Sequence, residues 1–230
     1  TQKLESISGI QAVSPSHAIE VEVATSSLDN ARQQDETLVY VAIDPEQFCQ
    51  VGNKEFTTGQ GDPETAWAMF SQGGALFISS VVAEEYDLVR GSRLGLVTHR
   101  GTQEFFVAGI TTEFDHDGFM VTGTYTDLKH MFGESGADLF TVKVAPGSNP
   151  EEVAQAITER YESREGIQVQ TTETYKRGVM DNYNRTTSLF NVLVLVGVII
   201  GTMGLVNTMT MNILERRREL GMLRALGSTR

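Results

Sequence analysis

The sequence predicts an α+β extracytoplasmic domain, a sheet layer with a βαβ unit and an inserted small β subdomain, followed by one transmembrane α-helix. Three observations carry that prediction. Short segments alternate apolar with polar residues, the pattern of half-buried strands. Between Leu139 and Thr171 an alternating segment, a helical segment and a second alternating segment follow one another. From Thr186 to Leu214 the chain runs 29 residues without a charged side chain.

In chain order, Ala18–Ala24 sets Ile19, Val21 and Val23 on one face and Glu20 and Glu22 on the other, which predicts a strand. Leu38–Ile43 is a more continuous apolar strand, stopped by Asp44-Pro45. Gly52–Gly74 is rich in Gly, Thr and Gln and reads as loop around a short helix near Trp67. Ala75–Ile78 predicts a strand, Ser79 or Ser80 a helix cap, and Gly91 the end of the following turn. Leu94–Thr98 and Phe105–Ile110 predict paired strands around His99-Arg100-Gly101. These elements make residues 52–110 the inserted subdomain.

Phe140, Val142 and Val144 then alternate with Thr141 and Lys143. Asn149 is an N-cap, Pro150 the first helical residue, and Glu151 and Glu152 suit the positive end of the helix dipole. Val153, Ile157 and Tyr161 form a buried stripe, Gly166 stops the helix, and Ile167 with Val169 begins the next strand. That is a βαβ unit.

As a helix, the charge-free stretch is roughly 43 Å long, against a hydrocarbon core of ~30 Å. A soluble core helix rarely lacks a polar face over such a length, so 186–214 reads as a transmembrane helix. Residues 215–230 hold five arginines against two glutamates, whereas 1–214 hold 13 basic and 28 acidic side chains. Arginines beside a span resist translocation, which puts 215–230 in the cytoplasm and 1–185 outside. The acidic body argues against nucleic acid as a partner. Thr1 and Arg230 read as cuts in a longer chain.

Within the span Gly197, Gly201, Gly204 and Thr208 recur at steps of four, three and four, so they share one stripe where another backbone could approach. Asn207 and Asn212 are polar groups that favour a partner helix over lipid. The stripe predicts neighbouring helices.

The span runs into Glu215-Arg216-Arg217-Arg218-Glu219-Leu220-Gly221-Met222-Leu223-Arg224-Ala225-Leu226-Gly227. This closely resembles the E-R-x-R-E-L/I-G-x-L-R-A-L/I-G signature of the FtsX-like, MacB-type permeases of ATP-binding-cassette (ABC) transporters. The strand–helix–strand block 74–110, the βαβ unit and the segment Glu173–Ser188 resemble that family's extracytoplasmic core. The resemblance implies that Glu215, Arg216, Arg217, Arg218, Glu219, Gly221, Met222, Leu223, Arg224, Leu226 and Gly227 couple to an ABC ATPase subunit. It implies further spans, a second permease half or homodimer partner, and contact with membrane lipid. An extracytoplasmic adaptor, lipoprotein or hydrolase is a further partner class in that family. The implied work is export or extraction of lipid, lipoprotein, peptide or drug, or transmembrane signalling. Physically the tail suits such a role. Met222, Leu223 and Leu226 form an apolar edge, and the arginines beside it can pair with carboxylates or phosphates.

Other signals point to no chemistry. Glu113, Asp115, His116 and Asp117 are dense but fit no metal-loop spacing, and the segment reads as a polar turn. His17, His99 and His130 are isolated. Cys49 stands alone, so no internal disulfide, Cys-based zinc cluster or redox pair is possible. No phosphate-binding loop occurs, so this chain is not expected to be the ATPase, whose activity is expected only in the partner subunit, and no catalytic motif or cofactor is called for. Two rival readings stand beside this one. A single-span surface receptor would leave the small-residue stripe and the Met222–Leu226 edge unused. A membrane-anchored metal-dependent enzyme would have to rely on the 113–117 patch.

Overall fold

The computed structural model describes residues 2–24, 37–52, 54–57, 62–113, 115–161, 167–225 and 227. They form two compact units, Thr1–Val169 and Gln170–Arg230. In the first unit a short helix α1 (Gln2–Glu5) leads into β1 (Ile10–Glu22), followed by β2 (Thr37–Ile43), α2 (Pro45–Val51), α3 (Pro63–Ser71) and β3 (Ala75–Ser79). Then come α4 (Ser80–Glu85), β4 (Arg93–Thr98), β5 (Gly101–Thr111), β6 (Met120–Thr124), α5 (Tyr125–Asp127), β7 (Leu139–Val144) and α6 (Pro150–Tyr161).

The strands form one seven-stranded sheet in the order β4-β5-β3-β6-β2-β1-β7. The pairs β2/β6 and β3/β5 are parallel and the rest antiparallel. The strands of 52–110 are therefore not a sheet of their own, because β3 pairs with β6 as well as with β5. The expected second strand of the βαβ unit is absent: Ile167–Gln170 are described without strand structure and Ile167 is 52% exposed. Two apolar residues in a three-residue alternation bury too little surface to hold an edge strand. Gly166, the expected helix stop, lies outside the described residues.

Side chains divide between the two faces of the sheet as strand alternation requires. One face carries Val21, Leu38, Tyr40, Leu76, Ile78, Leu96, Phe105 and Val121, covered by Val82 of α4 and by Leu128. The other carries Ile43, Phe77 and Ala108 under Ala66 and Phe70 of α3. There the Phe70 and Phe77 rings stack at 4.4 Å, with Trp67 edge-on to Phe77 at 5.0 Å. A third cluster sets Val153 and Ile157 of α6 against Ile7, Val142 and Val144.

The helix starts follow from their caps. Asp44 accepts from the backbone N–H groups of Glu46 and Gln47 at 3.0 Å, so Asp44-Pro45 both ends β2 and starts α2. Ser79 caps α4 by accepting from Val82 N–H at 3.0 Å, and Asn149 accepts from Glu151 N–H at 3.0 Å. Asp127 is almost fully buried and ties two distant turns together. Its carboxylate accepts Gly74 N–H at 3.0 Å and the Thr124 hydroxyl at 2.9 Å, while its own N–H donates to Thr124 Oγ1 at 3.1 Å.

Candidate functional site

The second unit is built on one helix, α7 (Thr172–Ala225), 54 residues long. Thr171 starts it, its carbonyl accepting from Tyr175 N–H at 2.9 Å and its hydroxyl from Thr174 N–H at 3.2 Å. The charge-free stretch and the arginine-rich end are parts of this one helix, and so is the polar stretch 172–185 before them. By length and composition it is long and apolar enough to cross a membrane. Leu193 and Leu205 are 67% and 66% exposed, and apolar surface of that extent needs lipid or other helices to cover it.

Polar groups inside the stretch are partly satisfied within the helix. The hydroxyls of Thr202, Thr208 and Thr210 donate to the carbonyls of Val198, Gly204 and Val206 at 2.7, 3.0 and 2.7 Å. Back-bonding of this kind hides a hydroxyl from hydrocarbon, so Thr208 presents a small and largely apolar surface. The stripe Gly197, Gly201, Gly204 and Thr208 lies on one helix face, and a Cβ at any of the three glycines would meet nothing within 4 Å.

At the far end Glu215–Arg224 continue as exposed helix. Leu226 lies outside the described residues, and Gly227 ends the run at φ +80° with its N–H on Arg224 O at 3.3 Å. The helix separates the residues that the sequence groups together. At 100° per residue, Glu215, Glu219 and Met222 prolong the row of Gly201, Gly204 and Thr208, whereas Arg216 and Arg224 stand on another side with Leu220 between them. Met222 and Leu223 are consecutive, so their apolar edge spans about 100°. Leu220, 59% exposed, was not singled out in sequence; its signal is the four-residue step from Arg216 to Arg224.

The first unit places its polar candidates apart from one another. Glu113 forms a buried ion pair with Lys54, which also donates to Thr122 Oγ1 at 2.8 Å, and Thr111 donates to Glu113 at 3.0 Å. Burial lowers the Lys54 pKa, and Glu113 offsets part of that. Asp115, His116 and Asp117 instead sit exposed in a tight turn, with His116 and Asp117 at φ 54° and 55°. Among the described residues no three His, Cys, Asp or Glu side chains gather as a metal site. His17 pairs with Asp138 at 2.7 Å, His99 and His130 are exposed, and burial raises the pKa of the exposed Cys49. Lys54–Glu113 and Asp127–Gly74 join residues 59 and 53 apart in sequence, so no local pattern announces them.

Residues 191–230 match the FtsX-like permease C-terminal family. An uncharacterized ABC transporter permease of Mycobacterium tuberculosis is 22% identical over 77% of this chain and 21% of its own length. The macrolide export ATP-binding/permease protein MacB of Agrobacterium fabrum is 26% identical over 80% of this chain and 29% of its own. That of Neisseria meningitidis is 25% identical over 50% of this chain and 18% of its own. The chain thus spans less than a third of these relatives. In fold it is similar to the periplasmic region of MacB from Actinobacillus actinomycetemcomitans, with a TM-score of 0.52 and 14% identity over 78% of this chain and 80% of that one. The extracellular domain of the ABC-type transporter YknZ from Gram-positive bacteria gives a TM-score of 0.50 and 16% identity, over 74% and 86%.

Proposed function

We propose that this chain, which carries the sequence and fold of an FtsX/MacB-type permease, transmits the movement of a partner ATPase across the membrane to an outer domain. The observation that carries this reading is the continuity of α7. Fifty-four residues at 1.5 Å each make a rod of roughly 81 Å. That is about twice the ~40–45 Å of a bilayer with its headgroups. Displacement at one end of an unbroken helix is felt at the other, because its hydrogen-bond ladder resists compression and bending. ATP-driven closure of the ATPases would move Glu215–Gly227, and α7 would carry that motion to the outer domain. ATP hydrolysis belongs to the partner.

The membrane reading assigns 186–214 to lipid, with 1–185 outside and 215–230 in the cytoplasm. The open space over Gly197, Gly201 and Gly204 supports a second permease half, or a further span of the same permease, packed there. The cargo class in this reading is that of an exporter or extractor of amphiphiles, or of a signal-transducing permease, with an extracytoplasmic adaptor, lipoprotein or hydrolase as outer partner.

The test is Leu223→Asp in the full-length permease. A carboxylate at a docking edge would be buried unpaired in the partner groove, which expels the segment. The inserted permease should then lose its ATPase on purification and its ATP-driven transport in membranes. Arg217→Ala should be mild, because an exposed ion pair contributes about 0–1 kcal/mol. Undiminished co-purification and transport with Leu223→Asp would overturn the coupling role.

A further inference from the structure

The end of α7 has two differently charged faces. Arg216, Leu220 and Arg224 follow one another at four-residue steps, with Arg217 beside them. Glu215, Glu219 and Met222 form a second row centred roughly 130° away around the axis, with Arg218 on its far side. All eight side chains are exposed. Among the described residues the ion pair of this helix is Arg177–Glu173, and none joins Arg216, Arg217 or Arg224 to a carboxylate.

We propose that Arg216, Arg217, Leu220 and Arg224 form a docking face for anionic lipid headgroups in the leaflet where the span ends, leaving the Glu215–Glu219–Met222 row to protein. Charge complementarity is the first argument. This face carries three guanidinium groups and no acid, next to a helix that enters lipid. Length is the second. The charge-free stretch exceeds the hydrocarbon core by about 13 Å, and a helix too long for its bilayer tilts. Tilting lowers one face of the emerging segment onto the headgroups. Arginines flanking a leucine suit that face, because their stems lie along apolar surface while the guanidinium groups reach phosphate. The opposite row prolongs the small-residue stripe, so a helix packed on that stripe would continue onto Glu215 and Met222 and leave the arginines to lipid. The inference rests only on the membrane placement of 186–214 and not on ATPase coupling.

The experiment uses the full-length permease without its ATPase, reconstituted in nanodiscs of phosphatidylcholine with or without phosphatidylglycerol. With native cysteines including Cys49 replaced by serine, a nitroxide is placed at Leu220→Cys, Met222→Cys or Leu205→Cys. Adding phosphatidylglycerol should reduce exposure of the Leu220 label to a water-soluble nickel relaxant roughly fivefold, the factor that one basic residue contributes at an anionic surface. The Met222 label should change little, and Arg216→Gln with Arg224→Gln should abolish the response at Leu220. Equal responses at Leu220 and Met222, or none at Leu220, would overturn the proposal. The Leu205 label should be accessible to oxygen in lipid in both nanodiscs; a water-exposed Leu205 label would overturn the membrane placement itself. Loss or retention of ATPase coupling in Leu223→Asp is read separately and leaves this result standing.

Discussion

Gly123 of β6 lies flat against the ring of Tyr40 of β2: a Cβ on Gly123 would come within 1.9 Å of the tyrosine hydroxyl and 2.2 Å of its Cζ. Tyr40 is fully buried, with its hydroxyl donating to Thr124 O at 3.3 Å and its ring 4.8 Å from that of Phe132. The ring therefore has nowhere to go. Gly123→Ala should destabilise the outer domain at or beyond the upper end of the ~1–3 kcal/mol typical of overpacking. Urea unfolding of residues 1–169 is the measurement. Adding Tyr40→Phe removes the nearest atom but not Cζ, so rescue should be partial; an unchanged unfolding midpoint in Gly123→Ala would show that the sheet is not packed this way.

Asp127→Ala should cost about 3 kcal/mol, because it leaves the Gly74 N–H and the Thr124 hydroxyl without their acceptor in a buried place. Asp127→Asn keeps one acceptor oxygen and should cost less. Equal losses for the two variants, measured by the same unfolding, would show that one neutral acceptor oxygen does not hold the turn and that the carboxylate itself is needed.

The elements most legible in the sequence are those with a local cause. β7 follows from alternation, α6 from Asn149-Pro150, and α4 from the Ser79 cap. The strand Met120–Thr124 escapes such reading because all five residues are buried in mid-sheet, which erases the alternation. The half of β1 before Ala18 escapes because Pro15 interrupts its pattern, yet it pairs with Phe140 in the sheet. The polar stretch 172–185 gives no apolar signal either; it is helical as the first turns of a helix whose length comes from the span. At the arginine-rich end the residue types were legible, whereas their division into two faces required the helix to be continuous past Leu214.

Alkaline pH should unfold the outer domain through its tyrosines. Burial, with Asp138 and Asp44 adding to it, pushes the Tyr125 pKa from 10.0 up to about 12, and burial with Asp127 raises that of Tyr40. Both groups hold their protons in the fold and release them on unfolding, so stability falls as pH rises above 10. Lys54 works the other way. Its lowered pKa makes stability rise with pH up to 10.5, beyond which it adds no slope. Between 10.5 and 12 the tyrosines therefore decide the sign. Among the described residues the buried Tyr125 hydroxyl has no hydrogen-bond partner, so Tyr125→Phe should be neutral or stabilising at pH 7 and should flatten the alkaline loss. An unchanged pH profile in that variant would show that Tyr125 is not shielded from water.

Gly201→Leu should separate the role of the small-residue stripe from the integrity of the helix that bears it. A Cβ at Gly201 would meet nothing within 4 Å among the described residues, and leucine favours helix over glycine by roughly 1 kcal/mol, so α7 itself should be intact or firmer. Any loss must then come from a neighbour that packs where the glycines leave room, since bulk there forces two backbones apart. Leu195→Ile is the matched comparison. Leu195 lies on the opposite side of the helix and is 59% exposed, and the swap conserves volume. With both variants in the full-length permease, size-exclusion chromatography in detergent and cross-linking in membranes report assembly. The expected result is a fall in assembled complex for Gly201→Leu at unchanged helix content, with Leu195→Ile like the parent. If both assemble like the parent, the stripe faces lipid and the partner helix packs elsewhere on α7.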